Sequence, residues 1–402
     1  MNELKLGWID YSSEHRDKVM AVLDALTAPG AVDELGIGRI RDGFADILFP
    51  GTSTIQTRAK YFLIVPYLLM ELEKERYAKP EDLLGKLGDE EVALIETLNQ
   101  EGEDGVIGGR AGTKLKRKPS EIYWNGLRTY EIFRHPSLSL TNYAKALFRM
   151  KRNKELVNTY GNEEMDDLGD NDGAYSGTFW QCILPESDWK NNLTMDLIYD
   201  EAQFLKTRIT SAEKSKDSLL SYLLQMDHRE WKDIDSFEAL DAIIPESGKL
   251  RDDYNQANKF SQFLHGAHIR YNLIASNGQS ETAVKKWTNW INSDFVKYEF
   301  ATFPFKKILH RLSIHNYMLF RFLRDWQEAV NAGDEDAMDD LIISREIELK
   351  SKDRAKLHNS KMYSYKEGDW IGNDQLQYRF LDSKIIMEDI AKGLEGKYAE
   401  AR

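Results

Sequence analysis

The sequence has almost no cysteine, with Cys182 alone in 402 residues. One thiol excludes an intramolecular disulfide and any zinc cluster built on cysteine pairs, and it suits a reducing cytoplasm. Among large apolar neighbours in FWQCILP, Cys182 reads as an inert core thiol. Long apolar runs are missing as well. The longest charge-free stretch near the start, Tyr61 to Met70, has ten residues, which at about 1.5 Å each cannot cross about 30 Å of hydrocarbon. No membrane span is expected. The opening MNELKLGWIDYSSEHR mixes charges of both signs and lacks the basic and apolar regions of a secretory signal, so a cytoplasmic location is expected. Strand signals are scarce, and the best of them, EFATFPF at 299–305, is short and holds proline. There is neither a repeat of fixed period nor a low-complexity tail. Positive charge is also in deficit: 54 Lys and Arg stand against 67 Asp and Glu, for a net charge of −13. That balance argues against a general coat for nucleic acid, and any such site must be a local basic window.

What the chain does have is helical period. Ser12 and Ser13 are N-cap candidates ahead of Val19, Val22, Leu23 and Leu26, and the pattern stops at Pro29-Gly30. The same spacing recurs at Ile198, Ala202, Leu205 and Ile209, at Leu312, Leu319, Leu323, Trp326 and Val330, and at Leu376, Phe380, Ile386, Ile390 and Leu394. With 42% hydrophobic residues there is enough to bury a sizeable core. The expected fold is mainly α, a multi-helical two-region globular protein with few or no strands. Residues 158–177, rich in Gly, Asn and Asp, read as a linker between an N-terminal helical region at 1–157 and a C-terminal one at 178–402.

Four windows carry candidate chemistry. In FPGTSTIQTRAK at 49–60, Thr52, Ser53 or Thr54 could cap a helix whose free N–H groups face an anion, with Arg58 and Lys60 beside it. The competing reading is an ordinary capped helix entering the core, with Pro66 kinking or ending it. In GVIGGRAGTKLKRKPSEIYWNGL at 105–127, glycines precede Arg110, Lys114, Lys116, Arg117 and Lys118, and Ser120 is a further cap candidate. That order does not match the Walker A spacing, so nucleotide hydrolysis has no support. A flexible cationic arm suits phosphate contacts, with Tyr123 or Trp124 for stacking, and its competitor is a solvated loop beside structural aromatics. His265 and His268 form an i, i+3 pair without a third ligand, so core or surface histidines are favoured over a metal site. Finally Asp339, Asp340, Glu348 and Lys350 imitate the acidic pair and E-x-K of a metal-dependent nuclease. That arrangement belongs on strands, whereas this segment has helical pairs such as Glu346 and Lys350. No EF-hand loop and no G-x-S-x-G elbow is present.

GWIDYSS at 7–13, ELGIGRIRDGFADILFPGTSTIQTRAKYFLIVP at 34–66, GVIGGRAG and PSEIYWNGL within 105–127, and QYRFLDSKIIMEDIAKGL at 377–394 together resemble a bacterial family of about this length that carries only a domain-of-unknown-function label. The family brings no established catalytic residues, so none is carried over. The resemblance implies company with phage-defence genes such as helicases and phospholipase-D-like nucleases. The expected function is thus a noncatalytic defence component that binds partner proteins and, through its basic arm, DNA or RNA backbone, without a cofactor. The alternative is a nuclease using Asp340, Glu348 and Lys350.

Overall fold

The computed structural model describes residues 33–100, 102–109, 115–160, 176–185, 188–191, 193–359 and 362–400. Its α-helices in chain order are α1 (Gly38–Leu48), α2 (Tyr61–Leu72), α3 (Pro80–Gln100), α4 (Pro119–Thr129), α5 (Leu140–Tyr160), α6 (Ser176–Phe179), α7 (Tyr199–Ser211), α8 (Leu219–Gln225), α9 (His228–Trp231), α10 (Lys249–Ala275), α11 (Glu281–Ile291), α12 (Phe305–Arg311), α13 (Tyr317–Ala332), α14 (Glu335–Lys350) and α15 (Phe380–Glu400). The fold is mainly α. Among the described residues there is no strand, and one isolated antiparallel bridge joins Phe133 and Trp180. The helix expected over 12–26 and most of the expected linker, 161–175, lie outside the described residues.

The apolar period placed α7, α13 and α15, but two of their starts shift for a backbone reason. Ser313 has φ 52°, which breaks the helix expected from Leu312, and α13 begins only after Asn316, whose Oδ1 accepts from Leu319 N at 3.0 Å. Likewise Tyr378 and Arg379 both have positive φ, so α15 starts at Phe380 rather than Leu376. The stretch 299–305 follows a π turn (Phe295–Glu299) and runs through a 3-10 turn (Phe300–Thr302) into α12. Phe300, Phe303 and Phe305 all pack on Phe263, with ring centroids 4.8, 4.9 and 5.9 Å away. An extended strand would send Phe300 and Phe303 to opposite faces and lose that convergence.

The chain divides into two compact units, Met1–Gly43 with Gln256–Leu376, and Phe44–Asn255 with Gln377–Arg402. In the first, Trp326 is fully buried and donates its indole N–H to Phe263 O at 3.0 Å, and Trp290 donates to Gln262 O at 2.8 Å. Each aromatic body fills core while its one polar atom is satisfied by α10 backbone.

In the second unit, α2 is buried on every side from Tyr61 to Met70. An all-round apolar helix is stable only inside a core, and at about 1.5–3 kcal/mol for each fully buried large side chain that burial outweighs the backbone hydrogen bond that Pro66 cannot make. The helix therefore continues six residues past Pro66, to Leu72. One corner packs backbone on backbone: a Cβ on Gly126 would stand 2.6 Å from Gly51 O and 2.5 Å from the Phe62 ring. Gly51 itself has φ 80°, and a Cβ there would stand 2.8 Å from the Tyr130 ring. Farther along, Trp124, Phe133, Tyr143, Phe179 and Trp180 form a continuous aromatic cluster. The buried Glu73 carboxylate accepts from Tyr143 OH at 2.5 Å and Trp180 Nε1 at 2.8 Å.

Candidate functional site

The hydroxyls of Thr52, Ser53 and Thr54 cap no helix. α2 begins at Tyr61 with Lys60 in the cap position and no side-chain cap, while Thr52 Oγ1 donates to Phe49 O at 2.6 Å and accepts from Ser383 Oγ at 3.2 Å. The corner is a locked turn. Arg58 is committed in four directions: its Nε contacts both oxygens of Asp389 at 3.0 Å, Nη1 donates to Asp104 O at 3.0 Å, and Nη2 donates to Met195 O at 3.1 Å and Asp196 Oδ1 at 2.7 Å. Asp389 also accepts from Ala59 N at 2.8 Å. Lys60 is buried and donates to Glu201 Oε2 at 2.5 Å. Both cations hold helices and loops of the second unit together.

Of the basic arm, Arg110 and Lys114 lie outside the described residues. Lys116 and Arg117 are exposed, and the side chain of Lys118 lies across Gly88 of α3. The preceding glycine-bearing segment is tied down, with Thr57 Oγ1 donating to Gly105 O at 2.5 Å and Ile107 N to Tyr61 OH at 2.9 Å. Tyr123 and Trp124 are core residues rather than stacking platforms. Tyr123 OH accepts from Thr57 N and Arg58 N, and Trp124 donates to Leu138 O at 3.0 Å. Ser120 is inside α4 and does not cap it. Instead the buried Glu91 of α3 accepts from Ser120 N at 2.5 Å and Ser120 Oγ at 3.1 Å.

Burial pushes the Glu91 carboxyl up to about 7, against the hydrogen bonds from Ser120 that pull it down. Its folded value lies above its unfolded one, so its contribution to stability is complete below about pH 4.5 and is lost as pH rises through 7. Glu91→Gln removes that titration. Measured by urea unfolding, the stability of the variant relative to wild type is expected to improve by about 2–3 kcal/mol between pH 5 and pH 8; an unchanged difference would show that Glu91 titrates normally.

A basic groove that the sequence reading passed over is built where α5 meets the turn after α2. Tyr143, Ala144 and Leu147 are buried, while Lys145, Arg149 and Arg152 follow at i, i+4 and i+7 on another side, with Arg149 and Arg152 exposed. The groove encloses about 360 Å³ between Arg76, Tyr77, Pro80 and Leu83 on one wall and Leu147, Phe148, Lys151 and Arg152 on the other. Two acids of the turn after α2 are engaged by hydrogen bonds. Glu73 serves the aromatic cluster, and Glu75 is held by Lys86 at 2.5 Å and Tyr77 OH at 3.3 Å, while Lys151 Nζ donates to Glu75 O at 2.5 Å. An apolar, aromatic floor is thus rimmed by cations. The legible signal was an acid-free run from Ile132 to Lys154 holding six Lys and Arg, five of them spread along α5 rather than clustered like 110–118.

The nuclease-like residues lie on α14. Glu348 accepts from Arg321 at 2.8 Å and Arg345 at 2.6 Å, and Lys350 pairs with Glu346 at 3.1 Å and Glu34 at 3.6 Å. Asp339 is gripped at 2.7–2.8 Å by two nitrogens of Arg270. On a helix, residues two apart point about 200° from each other, and Asp340 and Glu348 are separated by about 12 Å along the axis. His268 Nδ1 lies 3.0 Å from Asp374 O, and His265, pushed down to about 4 by burial, lies 3.4 Å from the Asp374 carboxylate. Among the described residues, no three His, Cys, Asp or Glu side chains are grouped to hold a metal ion, and no helix is long and apolar enough to cross a membrane.

Comparison with curated proteins and with solved structures finds no match. A family model does match, over residues 4–294, well beyond half of the chain and across both the locked turn and the basic groove. The chain belongs to the family of unknown function DUF6361.

Proposed function

We propose that this chain is a noncatalytic component that binds partner proteins and nucleic-acid backbone, acting in phage defence beside a helicase or nuclease as its sequence resemblance implies. The observation that supports direct nucleic-acid contact is the groove of Arg76, Lys151 and Arg152 over Tyr77 and Phe148. In a chain of net charge −13, cations gathered on one rim, with the neighbouring Glu75 carboxylate held by Lys86 and Tyr77, make a local binding field. Lys116 and Arg117 are further exposed cations of the same unit. The noncatalytic reading is supported by the ion pairs that hold Glu348 and Lys350.

The test is fluorescence anisotropy with a labelled duplex over a salt series. Changing Arg76, Lys151 and Arg152 together to alanine is expected to weaken binding alike for all sequences and to flatten the slope of log K against log salt by about 2–3. The same slope in wild type and variant would remove the groove from the contact. Incubation of plasmid and short single strands with wild type and Mg²⁺ or Mn²⁺ is expected to leave both intact, whereas cleavage lost in Glu348→Ala and Lys350→Ala would install the nuclease.

A further inference from the structure

From the first unit we infer a second nucleic-acid surface, at the α12–α13 corner, that takes a single strand by stacking a base on Tyr317 while Lys306 and Lys307 meet its phosphates. Between Glu299 and Asp325 the chain has no acidic residue and carries five Lys and Arg with two His. The fold puts much of that charge outward, since Lys306, Lys307, His310 and His315 are all exposed. It also leaves an aromatic outward in the same stretch of chain: Tyr317 is 70% exposed, and no ring lies against it among the described residues. The two helices meet closely enough to make one surface. Lys306 Nζ stands over the Phe320 ring at 5.3 Å, Phe305 and Phe320 lie 5.9 Å apart, and Tyr317 is one turn before Phe320 on the same side of α13.

Exposed large aromatics beside exposed cations are the two ingredients of sequence-tolerant single-strand binding, the ring accepting any base face and the cations tracking the backbone. A duplex keeps its base faces inside the stack and so offers none to Tyr317. A lipid surface fits less well, because beyond the polar-tipped tyrosine the corner exposes one apolar side chain, Met318. The inference stands on residues separate from the groove of Arg76, Lys151 and Arg152.

The experiment compares a fluorescein-labelled oligothymidylate with a duplex of equal length, using the full chain and far-UV circular dichroism to confirm folding. Tyr317→Ala is expected to weaken oligothymidylate binding by about 5- to 150-fold, the worth of one stacked base, with duplex binding changed less than about twofold. Tyr317→Phe is expected to restore the affinity, and Lys306→Ala with Lys307→Ala to weaken it and lower its salt slope. Wild-type affinity in Tyr317→Ala, failure of phenylalanine to restore it, or equal loss on single strand and duplex would overturn the inference. So would Tyr317-dependent sedimentation with phosphatidylserine vesicles and no oligothymidylate binding. Loss confined to the groove variant overturns this surface and keeps the groove; loss confined to Tyr317→Ala does the reverse.

Discussion

Asp389→Ala is expected to lower the free energy of unfolding by about 3–5 kcal/mol, because it takes from a mostly buried guanidinium its buried counter-charge. Asp389 has a side chain only 5% exposed, receives Arg58 Nε on both oxygens and also receives Ala59 N at the entry to α2. Its loss leaves Arg58 paired only with the exposed Asp196 and two carbonyls. Asp389→Asn keeps an acceptor for Ala59 N and is expected to cost less. In a double-mutant cycle, Arg58→Met with Asp389→Ala should lose less than the sum of the two. Urea unfolding reads all three. Additive losses, or a nucleic-acid affinity that falls with Arg58→Met while stability holds, would return Arg58 to the phosphate-binding role first considered for it.

Glu346→Ala is expected to cost as much, about 3–5 kcal/mol, for a different reason. This carboxylate is fully buried and accepts from Tyr271 OH at 2.6 Å, Lys350 Nζ at 3.1 Å and Leu357 N at 2.9 Å. Removing it orphans a hydroxyl, a backbone N–H and most of the pairing of Lys350 at once. Glu346→Gln, which retains an acceptor oxygen, should lose less than half as much. A loss under about 1 kcal/mol for alanine, the range of surface pairs, would mean that water or a rearranged Glu34 takes over the site.

Helices were legible in this sequence wherever one face is apolar, as the spacing of Ala202, Leu205 and Ile209 in α7 illustrates. Their ends were less legible, because Ser313, Tyr378 and Arg379 adopt positive φ without being glycine, and tertiary packing rather than local preference holds them there. The expected cap at Thr52–Thr54 failed for a similar reason. Hydroxyl preference is local, whereas the partner of Thr52 is Ser383, far along the chain. Arg58 and Lys60 could not be told from surface cations while Asp389 and Glu201 were distant in sequence. The groove went unread because its cations are spaced by a helix and completed by Arg76 from elsewhere. A density count over consecutive residues favours arms such as 110–118 over faces.

The contact between Gly51 and Gly126 has a consequence for how this chain can vary. A Cβ on Gly126 would meet the carbonyl of Gly51 and the Phe62 ring, while Gly51, at φ 80°, lies under the Tyr130 ring one turn beyond Gly126. Once one of the two acquires a side chain and pushes α4 away from the turn, part of the space constraint on the other is relaxed, while the positive φ of Gly51 keeps its own cost. Their substitutions are therefore epistatic, with the second cheaper than the first. Drift at this corner must pass through a deep single-step loss before a paired change becomes tolerable, which isolates the two-glycine state from its neighbours in sequence space.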